Sequence, residues 1–195
     1  MTKRNPILFF FIAHRLIAYN PTMSLHIIID GYNLIRQSAF LSAFEQLDMQ
    51  KGRERLLSLL SEYKKIKHYS ITVVFDGANA PPSSPRTDHF VGIGVKFSQS
   101  GESADDVIKR MATEEREQAL VVSSDQEVVN FAFAQGAATI SSSMFEEKMA
   151  LAAYIKTDAG DEDEDAGWTP TTKKRGPRRR LSKRLRRSKT KIQKL

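Results

Sequence analysis

Three short, largely apolar runs in this chain stop at or just before an aspartate, and that recurring pattern restricts the fold more than any other feature. Residues 25–29 lead into Asp30-Gly31, residues 71–75 into Asp76-Gly77, and residues 120–122 into Ser123-Ser124-Asp125. A short continuous apolar run reads as a strand buried on both faces of a parallel sheet. Helical stretches separate the runs. Residues 52–67 give the clearest one, with Leu56, Leu59, Leu60, Tyr63 and Ile66 on one stripe and Arg53, Glu62 and Lys64 away from it. Helices are also predicted over 34–47, 103–117 (Val107, Ile108 and Met111 inward), 126–135 and 144–155, and further strands over 89–97 and 137–140. Residues 80–85, rich in proline and serine, read as a loop. This alternation predicts an α/β fold with a central, mostly parallel sheet flanked by helices on both faces.

In such a sheet the ligand crevice lies beyond the C-terminal strand ends. Asp30, Asp76 and Asp125 fall at that edge, and Asp105 opens a helix after the Gly101-Glu102 turn, so four carboxylates from distant positions are expected to converge. Carboxylates gathered so closely repel one another unless a cation is bound. Mg²⁺ or Mn²⁺ takes oxygen ligands, lowers the pKa of a bound water and stabilises charge developing on a phosphodiester. Metal-assisted phosphodiester hydrolysis is the chemistry this pattern suits. Each residue also has a purely structural reading. Asp30-Gly31 and Asp76-Gly77 are common turn pairs. Ser103 with Asp106, and Ser124 with Glu127, have capping-box spacing, which leaves Asp125 as a helix-dipole partner. Asn33 suits a helix cap as well as a ligand-orienting role.

Several chemistries are excluded. There is no cysteine, hence no disulfide or thiolate metal site. His14, His26, His68 and His89 form no H-E-x-x-H motif, and no P-loop or dinucleotide glycine pattern follows Gly92-Ile93-Gly94, so no small-molecule cofactor is expected. Asp30-Gly31-Tyr32 lacks the second aspartate of a haloacid-dehalogenase phosphatase. No apolar run is long enough to cross a bilayer, and a cytoplasmic setting without membrane contact is expected.

Charge divides the chain. Residues 173–195 hold 13 of the 30 Lys and Arg and none of the 23 Asp and Glu, so residues 1–172 carry 17 basic against 23 acidic groups, a balance of −6. An acidic run over 158–165 precedes the basic block. Like-charge blocks resist collapse, so residues 157–195 are expected to form a disordered acidic-then-basic tail. Its Lys173, Lys174, Arg175, Arg178, Arg179, Arg180, Lys183, Arg184, Arg186 and Arg187 are candidate RNA-phosphate contacts. Residues 1–22 begin with Lys3 and Arg4 and a short apolar stretch that His14 and Arg15 interrupt. They read as a dispensable extension ahead of Met23 rather than a cleaved signal. The folded domain is expected over 23–156.

The string Ile27-Ile28-Ile29-Asp30-Gly31-Tyr32-Asn33 resembles the opening motif of the YacP-like branch of the NYN-domain family. In order, Val73-Val74-Phe75-Asp76-Gly77, Gly101-Glu102-Ser103-Ala104-Asp105 and Val121-Val122-Ser123-Ser124-Asp125 resemble its later motifs. The similarity spans about residues 25–154, with the N-terminal stretch and the acidic-basic tail outside it. The resemblance implies a PIN-like three-layer sandwich and a Mg²⁺- or Mn²⁺-dependent endoribonuclease, with structured, messenger and ribosomal RNA as the alternative substrates expected. Asp30, Asp105 and Asp125 would hold metal, with Glu102 as an additional ligand. Asp76 would complete the catalytic edge, and Asn33 and Ser124 would support it. A competing expectation is a non-catalytic RNA- or ribosome-binding protein that uses the basic tail.

Overall fold

A computed structural model describes residues 25–80, 85–158 and 182–195. Strands β1 (His26–Asp30), β2 (Ser70–Phe75), β4 (Ile93–Phe97), β5 (Ala119–Val122) and β6 (Ala138–Ile140) run parallel, and β3 (Thr87–Phe90) lies antiparallel to β4 at one edge. The sheet order is β3-β4-β2-β1-β5-β6. From β1 the chain moves outward through β2 and β4, then returns to place β5 and β6 on the other side. The direction therefore switches between β1 and β5, where a crevice opens beyond the strand ends.

Strand periodicity sorts the core into two layers. Ile27, Ile29, Val73, Phe75, Leu120 and Val122 face one side. There they meet α1 (Gly31–Gln37), α2 (Ala39–Leu47), α3 (Met49–Lys67) and α6 (Ser142–Asp158) through Leu34, Ile35, Leu41, Leu56, Leu60, Tyr63 and Phe145. Ile28, Val74 and Val121 face the other side, against Val107, Ile108 and Met111 of α4 (Ala104–Glu115) and Val128 and Ala132 of α5 (Gln126–Gln135). The result is the three-layer α/β sandwich with a mostly parallel sheet. Ile27, Ile28 and Ile29 are wholly buried, and truncating any one to alanine costs about 2–5 kcal/mol.

Three expectations change. The helix expected over 34–47 is two helices, broken at Ser38, whose extended backbone (φ −91°, ψ 119°) makes it the N-cap of α2. Its Oγ accepts from the Leu41 N–H (3.1 Å) and donates to Glu146 of α6 (2.5 Å), local bonding that competes with a continuous helix. The strand expected over 89–97 is a hairpin, because Val91 and Gly92 both take positive φ and turn the chain.

The third change concerns the tail. Lys183–Lys194 forms a helix, α7, not a disordered segment. Apolar side chains missed within the basic run explain it. Ile192 packs against the core, and Leu195 is 4% exposed within it. The Tyr63 hydroxyl donates to the Leu195 carbonyl (3.1 Å) and the Tyr69 hydroxyl to the Lys194 carbonyl (3.0 Å). Burial of one leucine and fixed charge partners offset the repulsion that the composition implied. Residues 1–24, 81–84 and 159–181 lie outside the described residues. They include most of the expected loop, the acidic run from Asp161 and the basic residues Lys173 to Arg180. Among the described residues no helix is long and apolar enough to cross a membrane.

Candidate active site

Asp30 ends the central strand and begins α1. Its Oδ1 accepts from the Asn33 N–H (3.2 Å), capping the helix, and its Oδ2 accepts from Ser123 Oγ beyond β5 (3.1 Å). The next residue must be glycine for packing reasons, since a Cβ on Gly31 would lie 2.3 Å from the Phe75 ring. The same holds at Gly77, where a Cβ would lie 2.0 Å from the Ser98 carbonyl oxygen. Asp76 Oδ1 accepts from Ala78 N–H (2.8 Å). Asp125 Oδ1 accepts from the N–H groups of Glu127 (2.7 Å) and Val128 (3.2 Å), capping α5. Capping and placement at the crevice are thus one arrangement, since a residue that caps a helix at a strand's C-terminal end also points its carboxylate to that edge.

Asp105 occupies the first turn of α4, which Ser103 and Asp106 cap reciprocally, as their spacing predicted. The box expected from Ser124 and Glu127 does not form, because Asp125 itself is the cap. Ser124 serves instead as a cross-link. Its N–H donates to Asn33 Oδ1 (2.9 Å), and its Oγ accepts from the Ser142 N–H (3.2 Å). Ser142 Oγ also donates to Asn33 Oδ1 (2.8 Å). Asn33 and Ser124 therefore tie together the ends of β1 and β5 and the start of α6.

These ends border an open cavity of about 430 Å³ lined by Asp30, Tyr32, Asn33, Arg36, Gln37, Asp76, Ser103, Ala104, Asp105 and Asp125. All four aspartates singled out in the sequence reach it. Glu102 does not line it; the carboxylate is ion-paired with Arg110, which holds its pKa below the usual range. Asp30 is only 7% exposed, and burial, with smaller contributions from Asp105 and Asp125, raises its pKa to about 6 against the hydrogen bonds from Asn33 and Ser123. Burial, then the charge of Asp125, also raises the pKa of Asp105. Among the described residues, no three acidic or imidazole side chains stand close enough to grip a metal ion as they are.

Sequence reasoning missed part of the wall. Tyr32 and Arg36 are four residues apart and share one face of α1, a helical spacing visible in the sequence, and the Arg36 guanidinium lies 5.3 Å from the Tyr32 ring centre. Tyr32 is fixed edge-on against Phe75 (5.1 Å) and by buried Arg53, which donates to its hydroxyl (2.5 Å). The long-range bonds from Ser123 and Ser142 carried no local signal.

The candidate RNA contacts of α7 lie elsewhere. Arg187 donates to both carboxylate oxygens of Glu117 (2.5 and 2.6 Å), and Lys191 donates to the Glu117 carbonyl. Arg184 stacks over Phe133 (4.0 Å) and donates to the Ala134 carbonyl (3.5 Å). Lys183 and Arg186 are exposed. Glu117 precedes β5, Tyr69 precedes β2 and Ala134 precedes β6, so α7 crosses the N-terminal ends of the strands. A five-residue strand, roughly 15 Å, separates that edge from the acidic cavity.

The sequence model described as "YacP-like NYN domain" matches residues 27–194. The match runs through α7, so the acidic-basic stretch lies inside the family's extent and not beyond it. Two crystal structures of Rae1 (YacP) from Bacillus subtilis share the fold. One, of a tryptophan-to-leucine mutant, is 22% identical over 72% of this chain and 86% of that chain, with a TM-score of 0.58. The other is 23% identical over 68% and 78%, with a TM-score of 0.59. No curated protein matches the sequence. With the motif residues gathered at one sheet edge and the family model matching most of its length, the chain belongs to the YacP-like NYN-domain family.

Proposed function

We propose that the chain is a metal-dependent endoribonuclease that hydrolyses RNA phosphodiesters in the cavity lined by Asp30, Asp76, Asp105 and Asp125. The observation that carries this reading is the convergence of four carboxylates, from four sequence regions, on one cavity at the switch point of the sheet. The donor set fits a hard divalent cation. It is all oxygen, and the anions crowd enough for burial and mutual charge to raise Asp30 and Asp105. Since no three acidic side chains among the described residues stand close enough to grip an ion directly, Mg²⁺ would meet one or two of the carboxylates and reach the rest through the waters it retains. Asp30, Asp105 and Asp125 would hold the ion, which supplies a water of lowered pKa and offsets charge building on the phosphate.

The chain's own residues do the rest. The N–H of Asn33 and Ser123 Oγ fix both oxygens of Asp30, so the carboxylate cannot swing away from the strand end. Asn33, through Ser124 and Ser142, holds the β1 and β5 ends in register. Asp76, beyond the end of β2, completes the acidic lining. In the reaction a water oxygen bonds to phosphorus as the bond to the leaving ribose oxygen breaks. The attacking water gives up a proton, and the leaving oxygen takes one.

The competing reading, an RNA- or ribosome-binding protein acting through its basic stretch alone, loses support from α7. Arg187 and Lys191 of that helix are committed to Glu117. The test is RNA cleavage by purified protein with chelator, then with Mg²⁺ or Mn²⁺ restored. Internal cuts are expected only with metal, and Asp30→Asn and Asp105→Asn should abolish them while the domain stays folded. Cleavage that ignores both substitutions would place the reaction elsewhere.

A further inference from the structure

A cavity walled by four carboxylates repels the polyanion it is proposed to cut, so something nearby must hold phosphate. The helix α7 lies at the other end of the strands. On α4, Lys109 is paired with Glu127 and Arg110 with Glu102. Of the residues that line the cavity, one is cationic: Arg36. Its guanidinium rests on Tyr32, which Phe75 and Arg53 hold in place. Its one ionic neighbour is Glu45, whose Oε1 lies 3.4 Å from Nε without forming a hydrogen bond, and Arg36 makes no other polar contact among the described residues. The side chain is 59% exposed. A forked set of donors is therefore positioned on an aromatic base at the cavity wall and is not consumed by the fold.

We propose that Arg36 is the phosphate-holding residue of this cavity, donating its terminal N–H groups to the non-bridging oxygens of an RNA phosphodiester and bringing it among the carboxylates. The proposal rests on the reading of the cavity as an RNA site. A guanidinium matches two phosphate oxygens at once, as a lysine ammonium cannot. Tyr32 and its buried partner Arg53 then act as positioning residues, since they set where the fork points.

The test uses the full chain carrying Asp30→Asn and Asp105→Asn, which removes two repelling charges and hydrolysis together. Binding of a short single-stranded RNA is measured over a range of monovalent salt without divalent cation. Arg36→Gln should weaken binding about tenfold at low salt and flatten the slope of log affinity against log salt by about 0.7, the release expected from one phosphate contact. Arg36→Lys should restore the slope but not the full affinity. An unchanged slope for Arg36→Gln overturns the proposal, whether affinity is kept or falls, because lost structure alone does not remove one phosphate contact. Wild-type cleavage separates the two claims. RNA that binds in an Arg36-dependent way but is never cut leaves this proposal standing and removes the hydrolytic one. Cutting with an Arg36-independent slope does the reverse.

Discussion

The two ends of this sheet treat charge in opposite ways. At the N-terminal end Glu115 and Glu117 each have a basic partner: Glu115 meets Nδ1 of His26 (2.7 Å), whose Nε2 bonds Thr72 Oγ1 (2.8 Å), and Glu117 meets Arg187. At the C-terminal end Asp30, Asp105 and Asp125 face one another, and their mutual charge adds to burial in raising Asp30 and Asp105. One end is organised for stability. The other carries an electrostatic cost that a bound cation would remove. A buried aspartate kept beside a half-buried and an exposed one at one edge, while the carboxylates of the opposite edge have hydrogen-bonding partners, is the physical mark of a site.

The contrast can be broken from either side. The largest expected effect is at the acidic end, where Asp105→Asn should lower the cleavage rate by about 10²-fold or more at saturating RNA, measured in single turnover, with little change in melting temperature. At the other end, Leu195→Ala should cost about 2–4 kcal/mol in urea unfolding, because Leu195 anchors α7 in the core beside Tyr63. Cleavage by the fraction that stays folded should not change. A large loss of cleavage with Leu195→Ala would show that the two ends are coupled.

A smaller effect comes from pH. The folded protein holds the Asp30 proton up to about pH 6, whereas an unfolded chain releases it near pH 4. A raised carboxylate pKa stabilises the fold below the unfolded value, and that contribution is lost as pH rises through the folded one. The metal-free protein should therefore lose up to about 3 kcal/mol of stability between pH 4 and pH 7 from this group, and added Mg²⁺ or Mn²⁺ should recover part of it. Flat stability across that range would contradict the buried, crowded carboxylate. Smallest is Glu117→Gln, which removes an exposed partner of Arg187 and should cost no more than about 1 kcal/mol, with cleavage intact.

Much of this architecture was legible in the sequence. Buried strands announce themselves as apolar runs, and Asp-Gly at their ends located Asp30 and Asp76 at the sheet edge. The Ser103 and Asp106 box was readable because capping is local. What escaped notice depended on partners far along the chain. Ser38 broke a helix by bonding Glu146. Residues 183–195 folded because Ile192 and Leu195 find the core, a preference that their charged neighbours concealed. Arg36 sat in plain view at helical spacing from Tyr32, yet a cation draws no attention when the pattern sought is acidic.

Asp30→Asn tests the account most directly, because its two consequences have opposite signs. The amide keeps the shape, can accept from Asn33 N–H and can donate to Ser123 Oγ, but removes the buried charge. At pH 7.5 without metal, the variant should unfold at a higher temperature than the wild type, and with Mg²⁺ or Mn²⁺ it should fail to cut RNA. A variant that cuts as before would show that the acidic edge is not a hydrolytic centre, and one that melts at a lower temperature would show that Asp30 is an ordinary cap.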